Sequence, residues 1–95
     1  MFGKKERTYK IGELWAVRNI MSLRQHVEDM YFRHGKKLED YNRAIEICGR
    51  TLTYIDEFYS RNRELEGMFT YERNLVDDYL KIFIAERKEM EKSAV

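Results

Sequence analysis

The chain has 95 residues, 43% of them apolar and 37% charged, with a formal net charge of +1 and no proline. That length supports one domain with a modest core, and near-neutrality argues against a protein whose main task is coating nucleic acid. A single cysteine, Cys48, excludes an internal disulfide and a multi-cysteine metal site.

The first ten residues form a basic arm, Lys4, Lys5, Arg7 and Lys10 against Glu6, a net of +3. Together with Arg18 these are the candidate contacts for nucleic-acid phosphates, and the arm also suits an acidic membrane surface. The arm lacks the apolar stretch of a signal peptide and has no glycine placed for myristoylation. No apolar run is long enough for a membrane span; the one near Leu80–Ala85 is interrupted by Lys81. A reducing, cytoplasmic location is the expectation.

Beyond the arm, residues 11–92 are expected to form one helical domain, because the composition favours Glu, Lys, Arg, Leu, Ile and Met over runs of Val and Thr. Three segments carry helical periodicity. The first spans 11–34, with Ala16, Ile20, Leu23, Val27, Met30 and His34 spaced 4, 3, 4, 3, 4 along one face. Gly35 then fits a left-handed helix stop, with His34 in a terminal capping role.

The second segment, 37–65, is the most regular: Leu38, Tyr41, Ile45, Cys48, Leu52, Ile55, Tyr59 and Asn62 alternate 3 and 4 without a slip. The phase crosses Gly49 intact, so one continuous helix is expected; a break there would make a fourth. The third segment, 70–91, follows Gly67, with Thr70 as N-cap, Glu72 in the first turn, and a stripe of Val76, Tyr79, Phe83 and Met90. Short connections make consecutive helices antiparallel. The predicted fold class is therefore all-α, an up-down-up three-helix bundle with long helices, completed as a larger bundle by homodimerisation.

The charges read as solvated faces. Asp29–Arg33, Glu39–Arg43, Glu46–Arg50, Glu57–Arg61 and Asp77–Lys81 are acid-to-base pairs at i, i+4, each worth about 0.2–0.5 kcal/mol. The arginine row Arg43, Arg50, Arg61 is diluted by the acids interleaved with it. Glu86 falls on the third stripe and is expected to pair with a base across the bundle.

The apolar stripes are the more informative feature, because they look too wide. Helix 2 carries a second row of Ile47, Tyr54, Phe58 and Leu65. Helix 3 spreads Leu75, Leu80, Ile82 and Ile84 around its stripe, and helix 1 adds Leu14, Met21 and Phe32 with Trp15 nearby. Two neighbours in a bundle explain part of that breadth. The remainder predicts an interface on helices 2 and 3, with Tyr54, Phe58, Leu80 and Ile84 as its outer row.

Chemistry-bearing patterns are missing. The five glycines stand alone, and His26 and His34 have no Glu at metal-site spacing. Cys48 sits in the seam between Ile45 and Leu52 as a small hydrophobe. Tyr41, Tyr59 and Tyr79 lie at packing spacing rather than on a base-stacking platform. No catalytic residue, metal or cofactor is expected. The predicted function is a small non-catalytic protein-binding module, an adaptor, regulatory protein or assembly subunit, acting on another protein or on itself; the alternative is a nucleic-acid-binding accessory factor using the arm.

Overall fold

The computed structural model describes residues 11–93, with side chains from Leu14 onward. Helix α1 spans Ile11–Phe32, α2 Leu38–Arg61 and α3 Thr70–Ser93, with one 3-10 turn at Arg63–Leu65. The three pack as an up-down-up bundle in which each helix touches both others, α2 and α3 most extensively. Among the described residues there is no strand.

The first connection is set by local chemistry. Gly35 adopts φ +67°, a left-handed conformation that costs glycine nothing. The ammonium of Lys36 donates to the carbonyls of Tyr31 (3.0 Å) and Arg33 (2.9 Å) and lies 5.9 Å from the ring centres of Tyr31 and Tyr41. A cation against the free carbonyls of a helix end is favoured by the dipole. This corrects the expectation for His34: α1 stops at Phe32, His34 is exposed in the connection, and Lys36 does the capping. Asp40 accepts a hydrogen bond from the Lys37 backbone N–H at 2.8 Å and so starts α2.

Helix α2 runs unbroken through Gly49. A methyl group added at Gly49 would meet no atom within 4 Å. Gly49→Ala is therefore expected to stabilise the fold by about 1 kcal/mol, raising Tm by ~4–8 °C in a thermal melt. The helix ends sooner than its apolar pattern. Asn62 turns away at φ −135° and its side-chain amide donates back to the Phe58 carbonyl at 3.0 Å, a competition that asparagine offers to the helical ladder. The chain then tightens through Arg63–Leu65, and Leu65 is buried all the same. Gly67, at φ +94°, makes the last bend. Thr70 is no N-cap: its hydroxyl donates to the Gly67 carbonyl at 2.8 Å instead of accepting from the helix.

The buried row of α2 is Tyr41, Ala44, Cys48, Thr51, Ile55 and Phe58. It shares Tyr41, Cys48 and Ile55 with the sequence seam but takes Ala44 and Thr51 where the seam has Ile45 and Leu52. Small residues thus stand at the bundle axis, and a larger apolar row flanks them on each side. One flank faces the entry to α3, where the Tyr59 hydroxyl accepts from the N–H of Phe69, the residue before the helix, at 2.7 Å; the other faces α1, where the Tyr54 hydroxyl accepts from the Asn19 amide at 3.0 Å. Two neighbours take up most of the breadth of α2.

Two core clusters stack along the bundle. Near the start of α1, Ala16, Ile20, Ile55, Phe58, Leu65 and Phe69 pack together. Further along, Val27, Met30, Tyr41, Ala44, Cys48, Val76, Tyr79 and Phe83 form the larger one. Thr51 is fully buried, and its hydroxyl donates to the Ile47 carbonyl at 2.7 Å, so no buried hydroxyl is left unpaired there.

Burial has a consequence at high pH. It pushes the Cys48 thiol up to about 12. Burial, with Glu28 facing its hydroxyl at 3.4 Å, raises Tyr79; burial, with Glu86 beside it, raises Tyr41. Groups whose folded pKa is raised stabilise the fold fully below the unfolded value, and that contribution is lost as pH climbs. Denaturant midpoints are therefore expected to fall from about pH 9 upward, and Cys48→Ala is expected to flatten the onset. A native-state thiol assay is expected to find Cys48 unreactive until the chain unfolds.

Candidate protein interface

The outer side of the α2–α3 pair can be read from two polar ties. Arg73 grips Asp56 through two hydrogen bonds of 3.2 Å, and Arg87 donates to the Asn42 side-chain oxygen at 3.0 Å. In antiparallel helices a step forward on one is a step back on the other, and the interval from Asn42 to Asp56 equals that from Arg73 to Arg87. The register between the ties is therefore constant. On it Gly49 stands opposite Leu80, and Ile45 stands opposite Ile84.

Between those ties lies an apolar strip made of Ile45, Gly49 and Leu52 on α2 with Leu80 and Ile84 on α3. Leu80, Ile45 and Leu52 are half-buried and lean on the core. Ile84 is 43% exposed. Gly49 leaves an open notch in the strip, opposite Leu80 on this register: among the described residues no side chain lies within 4 Å of where its Cβ would stand. The rim is polar and charge-balanced: beyond the two ties, Arg50 pairs with Glu46 at 2.9 Å and Lys81 with Asp77 at 3.1 Å. An apolar strip within a polar rim is the usual composition of a docking surface.

The residues nominated from sequence separate into two groups. Leu80 and Ile84 share this strip. Tyr54 is half-buried on the α1 side of α2, its hydroxyl held by Asn19. Phe58 is 7% exposed and packs edge-on to Phe69, ring centres 5.4 Å apart. It is a core residue and not part of an outer row, because the second row of α2 faces α1. Arg18 is exposed on α1; Lys4, Lys5, Arg7 and Lys10 lie outside the described residues.

In the sequence alone Gly49 reads only as a tolerated helix residue. The signal was its place in phase with the flank between Ile45 and Leu52. The chain also leaves Trp15, Leu14 and Met21 exposed on α1, with Phe32 at its end, Leu38 at the start of α2 and Tyr71 on α3.

Of the expected i, i+4 ion pairs, Glu46–Arg50 and Asp77–Lys81 form. Asp29 instead accepts from Gln25 at 3.0 Å, and Arg33 reaches Asp40 at 3.9 Å. Among the described residues Glu86 forms no ion pair with a base across the bundle; its charge instead helps to raise the Tyr41 hydroxyl. Among the described residues no three His, Cys, Asp or Glu side chains converge as a metal site would require. A depression lined by Glu39, Asp40, Asn42, Arg43 and Glu46 lies along one face of a single helix and has no opposing wall. No described helix is long and apolar enough to cross a membrane. No protein-family model, curated protein or solved structure matches the chain.

Proposed function

We propose that this chain is a small non-catalytic interaction module, an adaptor or assembly subunit, that buries the outer α2–α3 strip against another protein and in the first instance against a second copy of itself. The observation that carries this reading is Gly49. A glycine inside a helix costs about 1 kcal/mol relative to alanine, and none of the described residues requires it, since a methyl group there would touch none of them. An approaching side chain would. Ile84, exposed one turn from Gly49 on the facing helix, has the shape to enter the notch of a copy while the copy's Ile84 enters this one. Such reciprocal contacts define a two-fold interface.

The test is a pair of substitutions with opposite effects on fold and association. Gly49→Ala is expected to raise Tm while weakening self-association about tenfold, because it fills the notch. Sedimentation velocity alongside a thermal melt reads both. Unchanged association in the stabilised variant would remove the strip from the interface.

A further inference from the structure

We infer that the outer side of the first half of α1 seats on an anionic lipid surface. This goes beyond the proposed α2–α3 interface and uses a different face. Three large apolar side chains are exposed there: Leu14 at 52%, Trp15 at 59% and Met21 at 41%. They surround Arg18, also exposed, which is one helical turn from Leu14, Trp15 and Met21. In water this arrangement is costly. At a bilayer it places tryptophan at headgroup level, two aliphatic chains toward the acyl boundary, and an arginine whose long stem lets its charge reach the phosphates.

Charge selects the lipid. Residues 1–10 carry a net of +3, while residues 11–95 carry a net of −2. In sequence the basic segment directly precedes the exposed apolar cluster. An acidic leaflet attracts such a segment within about a Debye length. Nucleic acid would satisfy the cations but would leave Leu14 and Met21 nothing to bury against. A second copy would bring like charge to like at this end.

Trp15 is the chain's single tryptophan, so its emission reports this face alone. Phosphatidylserine-containing phosphatidylcholine vesicles are expected to shift that emission to the blue and to co-sediment the full chain. Pure phosphatidylcholine vesicles are expected to do neither, and high salt is expected to reverse the shift. Changing Lys4, Lys5, Arg7 and Lys10 together to Gln is expected to weaken partitioning up to about a thousandfold. Leu14→Ser with Met21→Ser is expected to weaken it about tenfold, with circular dichroism unchanged because both side chains are exposed. Ile84→Lys is expected to bind vesicles normally, which separates this result from the fate of the α2–α3 strip. The inference is overturned by no response to the anionic vesicles or by an equal response to neutral ones. It is equally overturned by a shift that follows protein concentration without lipid, which assigns the face to a second copy, or by one given by single-stranded RNA and not by vesicles.

Discussion

Phe83→Ala is expected to cost about 3–5 kcal/mol, a large share of what a chain of this size has, since about 0.05–0.15 kcal/mol per residue is typical. Phe83 is fully buried on α3 and meets an aromatic ring from every helix: Tyr31 of α1 at 6.2 Å, Tyr41 of α2 at 6.4 Å and Tyr79 of α3 at 6.4 Å. Truncation removes the transfer energy of the ring and leaves a cavity that three helices would have to close together. Offset and edge-on aromatic contacts add about 0.5–1.5 kcal/mol each beyond area burial. Urea denaturation followed by circular dichroism checks it. A loss below about 1 kcal/mol, the level of an ordinary surface change, would mean that the larger core cluster is not what holds α1 onto the α2–α3 pair.

The same charge placed at two apolar positions separates folding from association. Phe58→Lys puts an unpaired ammonium among Ile55, Leu65 and Phe69, and is expected to destabilise by about 4 kcal/mol or more, leaving a largely unfolded chain. Ile84→Lys, on an exposed site, is expected to leave helicity intact and stability within about 0.5 kcal/mol. Its effect falls on self-association, by about 2–4 kcal/mol, because a lysine must be desolvated in the notch of the facing copy. Leu80 is a less clean site for this experiment. It leans on the core, so a charge there weakens the bundle as well as the contact.

How much of this was readable from the sequence depends on the type of question. Three helices, their order and the continuity of α2 follow from phase. Tyr41, Cys48 and Ile55 sit where the spacing puts them, and Ala16, Ile20, Val27 and Met30 do the same on α1. Periodicity gives the centre and width of an apolar arc, but it does not say which neighbour stands on each flank. That is why Phe58 and Ile84 looked equivalent. One lies on the side that α1 covers, the other on the side left open beyond Leu80. The helix ends were harder still, because they turn on individual side-chain contacts such as Lys36 on the α1 carbonyls and the Asn62 amide on Phe58. Those contacts form only once the helices are already placed.

Light scattering of the purified chain across the micromolar range tests the central claim most directly. A mass twice that of the chain, returning to the single-chain value in Ile84→Lys, is the result expected of a module that hides the Gly49–Leu80–Ile84 strip against its own copy. A single-chain mass at every concentration for the unmodified protein contradicts it.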